Sequence, residues 1–160
     1  MNTRGFTLVE LLVAVGIIGV LASVSMFSIS EARAKARDTR RVQDVRELSK
    51  ALDIYATTNP QIQLENCVAQ GAGTTSCTIP ADFPMADFAK IKDPSGSATR
   101  CGRGVGTACQ YTFGNATPTV GEYEICFKFE RKSSQFGASD ENLYRIGPGQ
   151  LITPGCDYQP

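Results

Sequence analysis

Residues 6 to 29 read FTLVELLVAVGIIGVLASVSMFSI, 24 positions holding one charge, Glu10. At 1.5 Å per residue a helix of that length covers about 36 Å, enough to cross a hydrocarbon core of about 30 Å. Fourteen of the positions are Leu, Ile, Val or Phe. At roughly 0.3–0.6 kcal/mol each, they outweigh the roughly 3 kcal/mol cost of one mid-helix carboxylate. A globular core seldom surrounds a helix with apolar groups on every side. The segment is therefore expected to spend part of its life in a membrane.

The rest of the chain is organised around that stretch. Residues 30–58 are charged and run without Gly or Pro, and all eight Pro and all six Cys follow Asn59. Val42, Val45, Leu48, Leu52 and Tyr55 recur at helical spacing, one apolar stripe on an amphipathic continuation of the first helix. Asn59-Pro60 is a natural stop. Residues 59–160 are loop-rich, with short strand candidates at 110–113, 122–130 and 142–146. In the second of these Tyr123, Ile125, Phe127 and Phe129 share one face, which should cover the stripe of the helix. The expected fold is α+β: a long N-terminal helix, apolar then amphipathic, packed on a small antiparallel sheet in a disulfide-stapled head.

Absences narrow the chemistry. With no His, neither a catalytic triad nor a His-based zinc site can be built. Zero net charge argues against bulk attraction to nucleic-acid phosphate. No catalytic constellation is visible, so the chain is expected not to be an enzyme and to need no cofactor. Six Cys suit an oxidising compartment. They allow fifteen pairings; nearness in the chain favours Cys67–Cys77, Cys101–Cys109 and Cys126–Cys156. The intervals contain no CxxC pair, so no metal site is expected. Gly102-Arg103-Gly104-Val105-Gly106 mimics a phosphate loop without a strand before it or a helix after it. Asn115-Ala116-Thr117 fits a glycosylation triplet. Asp87, Asp93 and Asp140-Glu141 lack the alternating ligands of a dedicated calcium loop.

A secretory signal carries its cleavage site after its apolar stretch; here Arg4-Gly5 stands before it. The motif Arg4-Gly5-Phe6-Thr7-Leu8-Val9-Glu10 resembles the class III leader of type IV pilins and of the pseudopilins of type II secretion. The resemblance implies a leader of residues 1–5, cut after Gly5 by a prepilin peptidase that also methylates the new terminus, Phe6. It implies a filament core of residues 6–29 and assembly through Glu10. Partners would be membrane lipid before assembly, an inner-membrane assembly platform, and further protomers joined through their N-terminal helices. The product would be a type IV pilus on the cell surface serving adhesion, motility or DNA uptake, assembled from an inner-membrane precursor. The alternatives are a pseudopilin of type II secretion and a membrane-anchored extracytoplasmic binding domain that does not polymerise.

Two details qualify that expectation. An ionisable group in a membrane helix usually has a partner, and once Arg4 is removed none lies near Glu10 along the helix. The Phe6 amine of an adjacent protomer would supply it. Many relatives carry a proline in the apolar half; this chain has only Gly16 and Gly19 to soften or closely pack that helix. Arg33, Lys35, Arg37, Arg40 and Arg41 follow the span, so the positive-inside tendency would place the head in the cytoplasm. The cysteines point the other way, and long domains translocate largely regardless of charge. The basic cluster is read as a solvated face or a contact with lipid headgroups.

Overall fold

A computed structural model describes residues 5–67 and 69–159, the side chain of Phe27 excepted; leader residues 1–4 lie outside the described residues. One helix, α1, runs Leu8–Ala56. It starts where Thr7 caps it and ends where Thr57 Oγ1 donates to Ile54 O at 2.8 Å and Asn59 N closes back on Tyr55 O at 3.1 Å, just before Pro60. The chain divides into two compact units, one up to Lys35 and one from Ala36 to Pro160.

Among the described residues of the first unit, the large apolar side chains of α1 are exposed. Leu11, Leu12, Val15, Ile18 and Leu21 are each more than half exposed. The helix is long and apolar enough to cross a membrane, and its apolar window is unburied.

The second unit takes in residues 36–58, which the sequence partition assigns to a helical continuation rather than to the head. Val45, Leu48 and Leu52 of α1 are fully buried or nearly so and pack with Phe83, Phe88, Ile125, Phe127 and Ile146 in one core. A four-stranded antiparallel sheet lies in the order β1 (Thr112–Phe113), β2 (Ile125–Lys128), β3 (Leu143–Ile146), β4 (Ile152–Pro154). Its register is fixed by the pairs Thr112↔Cys126, Phe127↔Tyr144 and Ile146↔Ile152. The face holding Tyr123, Ile125, Phe127 and Phe129 is buried as its alternation requires, and Tyr123 Oη meets Ser49 Oγ of α1 at 2.6 Å.

The opposite face of β2 is buried as well. Cys126 is fully buried there, and Lys128 is 2% exposed. Lys128 Nζ donates to Val105 O at 2.5 Å and to Glu141 at 3.0 Å, while Gly104 N–H donates to the same carboxylate oxygen at 2.8 Å. The glycine-rich loop of residues 102–106 is thus folded around the ion pair of buried Lys128 with half-exposed Glu141, and its Gly104 amide is already committed. These two bonds hold the Glu141 carboxyl below its ordinary range, the Gly104 amide contributing most.

Disulfides join Cys67 to Cys77, Cys101 to Cys109 and Cys126 to Cys156, closing separations of 10, 8 and 30 residues. In the chain-entropy description the longest loop contributes roughly 3.5 kcal/mol and the shortest roughly 2.5. Replacing Cys126 and Cys156 together by alanine is expected to lower the unfolding midpoint more than replacing Cys101 and Cys109 together. Denaturant titration of the two variants checks the order, and free-thiol labelling of the native chain should find no reactive cysteine.

Candidate processing and assembly site

The amino-terminal segment is built around a reciprocal cap. Thr7 N–H and Thr7 Oγ1–H both donate to Glu10 Oε2, at 2.9 and 2.8 Å, while Glu10 N–H donates to Thr7 Oγ1 at 3.3 Å. Each residue satisfies a donor of the other's backbone, the arrangement of a capping box in which Thr7 stands at the cap and Glu10 three positions on. Sequence reasoning gave Glu10 a role and overlooked this one, although Thr-x-x-Glu before an apolar run is its signature. The cap also answers a physical difficulty. A carboxylate entering an apolar medium is costly unless hydrogen-bonded, and this one carries its own two donors with it. Among the described residues no basic side chain pairs with Glu10.

Immediately before the cap, Phe6 is 85% exposed and a Cβ added at Gly5 would meet nothing within 4 Å. The same holds at Gly16 and Gly19, so neither glycine is demanded by packing within this chain. The hydroxyls of Ser23 and Ser25 fold back onto the carbonyls of Val20 and Leu21 at 2.8 and 2.9 Å, which hides them from an apolar environment. The surface of α1 between Leu11 and Ile29 is left almost wholly apolar.

The family model for the prokaryotic N-terminal methylation motif matches residues 1–26. The chain carries that motif at its amino terminus. Its similar relatives include type II secretion system core protein G of Escherichia coli K12, 43% identical over 56 residues, which are 35% of this chain and 39% of that protein. The protein of the same name from Pectobacterium carotovorum is 41% identical over 56 residues, covering 35% and 36%. That from Dickeya chrysanthemi is 31% identical over 101 residues, 59% of this chain and 64% of the relative. The chain thus covers little more than a third of the length of the first two relatives. No solved structure matches it significantly. A class III leader followed by an exposed apolar helix marks a membrane-anchored precursor.

The second unit resolves the basic cluster that follows the span. Arg41 is fully buried, and its guanidinium grips Asp93 through two bonds, Nε to Oδ2 at 2.6 Å and Nη2 to Oδ1 at 3.0 Å. Nη1 reaches Asp38 at 2.7 Å and Glu130 at 2.9 Å. Arg37 takes Glu130 in a second bidentate pair at 2.7 and 2.6 Å, and Asp38 accepts the backbone N–H groups of Glu130 and Arg131 at 2.9 and 3.2 Å. Burial disfavours the Arg41 charge, but the bonds to Asp93, Asp38 and Glu130 together more than offset it and its pKa rises. Bonding to Arg37, then Arg41, holds Glu130 below the usual carboxylate range.

Arg37 and Arg41 therefore do not form a solvated face: they fasten α1 to the head. Asp44 is 1% exposed and accepts the Tyr111 hydroxyl at 3.0 Å, and burial pushes its pKa up. Asp93 belongs to Arg41 and Asp87 pairs with Lys90 at 2.6 Å, which engages two of the carboxylates weighed as calcium ligands.

Because a side chain at Gly5 meets nothing in the chain itself, Gly5→Val isolates the processing step. The variant is expected to fold and insert normally but to keep its leader. Intact-mass analysis of the membrane fraction checks this; a chain beginning at Phe6 in that variant contradicts it.

Proposed function

We propose that the chain is a pseudopilin: a membrane-anchored structural subunit of a type II secretion filament, trimmed after Gly5, methylated on Phe6 and polymerised through its apolar helices. The observation that carries this is the exposed aliphatic helix headed by the Thr7–Glu10 cap directly after the cleavage motif. A helix with that much apolar surface and no partner of its own has two environments open to it, lipid and other copies of itself. The cap shields the carboxylate in the first environment and leaves its charge to be matched in the second. Its partners on this account are a prepilin peptidase, an inner-membrane assembly platform and identical protomers. The choice of secretion pseudopilus over surface pilus is supported by the relatives, each named as a type II secretion system core protein.

Deleting the gene tests that choice. Export of folded exoproteins should stop while surface fibres persist; intact export with loss of surface fibres would restore the pilus assignment.

A further inference from the structure

The end of the head at which α1 carries Arg37 and Arg41 has an uneven charge distribution. Its carboxylates Asp38, Asp93 and Glu130 all turn inward onto those two arginines. Three backbone segments converge on the same knot, and two of them raise cations to solvent beside it. Lys92 precedes Asp93, and Arg131 and Lys132 follow Glu130; all three are exposed. Among the described residues none of the three forms an ion pair. The neighbouring cations Arg40 and Lys90 are matched by Asp44 and Asp87. The knot itself has one carboxylate in excess, so the three unpaired cations leave this end positive on a chain of zero net charge. In sequence the apolar stretch ends at Ile29, seven residues before Ala36 opens the unit.

We propose that Lys92, Arg131 and Lys132 form a docking surface for anionic lipid headgroups, holding the head against the membrane before the subunit leaves it. The proposal rests on the membrane-anchored precursor described above. Charge complementarity selects the partner: an anionic leaflet attracts cations that lie within a Debye length of it, by roughly fivefold in equilibrium preference for each. The inward-turned carboxylates are what let the attraction act, since they offer the bilayer no opposing charge at the surface. A second copy presenting an acidic face is the competing occupant.

The full chain should be inserted, one copy per disc, into nanodiscs of phosphatidylcholine alone or of phosphatidylcholine with phosphatidylglycerol. Amide hydrogen exchange is then followed at residues 90–93 and 130–133. Exchange there is expected to slow severalfold with phosphatidylglycerol. The slowing should vanish at high salt and in the triple variant Lys92→Gln/Arg131→Gln/Lys132→Gln, with the head core unchanged. Equal exchange in the two lipids overturns the proposal. Protection that appears only when discs hold two copies also overturns it and assigns the surface to a neighbouring subunit. Failure of the chain to co-elute with discs defeats the membrane anchor itself, and the docking with it.

Discussion

Arg41→Ala is expected to lower the stability of the head by about 3–5 kcal/mol, the usual loss when one partner of a buried ion pair is removed. The side chain of Asp93 is fully buried and would be left charged with no cation beside it. The unfolding midpoint should fall by roughly 10–20 °C. Arg41→Lys should not recover it, because a point charge on a flexible stem cannot reproduce two parallel bonds to Asp93 and a third to Asp38. Arg41→Met with Asp93→Leu should recover much of the loss, since both desolvated charges then disappear together.

The same knot sets the response to acid. Glu130 is held below its ordinary value of 4.5 by Arg37 and Arg41. Its folded form binds the proton less readily than its unfolded form. The stability it contributes is therefore fully present above the unfolded value and is lost as pH falls through the folded one. Asp44 works in the opposite sense, because burial raises its pKa and its protonation favours the folded state. Thermal melts from neutral pH down through the carboxylate range should show stability falling, and Glu130→Gln should flatten that fall. A variant that melts in parallel with the parent across this range would contradict the assignment.

Glu10→Ala is expected to insert and to be cleaved, but to lose recruitment into filament by more than a hundredfold, the loss of one buried ion pair at 3–5 kcal/mol. The cap supplies a control that separates two roles. Glu10→Gln keeps an acceptor at the third position of the box, where glutamine serves as well as glutamate. It removes the charge that a neighbouring Phe6 amine, of intrinsic pKa about 7.7–8, would seek. If pairing between protomers is the function, Gln fails as Ala does. If the cap alone matters, Gln assembles normally and Ala does not. Processed membrane monomer is to be compared with assembled filament for both variants.

What could be read from the residues divides along physical lines. The apolar run and the stripe from Val42 to Tyr55 are local periodic signals, and α1 follows them. The alternation from Tyr123 to Phe129 likewise marks β2 and the face it buries. β4 was not legible: three residues ending in Pro154 carry no period to detect, and the strand exists only because β3 offers an edge to it. The knot was illegible for another reason. Arg41 and Asp93 are 52 positions apart and Arg37 and Glu130 are 93 apart, so nothing local distinguishes these arginines from a solvated face. Of the five cations that follow the span, Arg37, Arg40 and Arg41 are engaged by carboxylates of the head or of α1. Pairing within the folded head leaves the positive-inside tendency as it was, since that tendency counts Lys and Arg near the span and acids contribute little to it. The Thr7–Glu10 cap is legible in the sequence as Thr-x-x-Glu before an apolar run, a signal of spacing that the lone charge of Glu10 overshadows.

The measurement that bears most directly on the account is mass spectrometry of the amino-terminal peptide from assembled polymer recovered from the cell envelope of cells expressing the chain with its peptidase. The polymer should contain the chain beginning at a methylated Phe6, with residues 1–5 gone. A chain found only as membrane monomer still beginning at Met1, with none in the polymer, would contradict it.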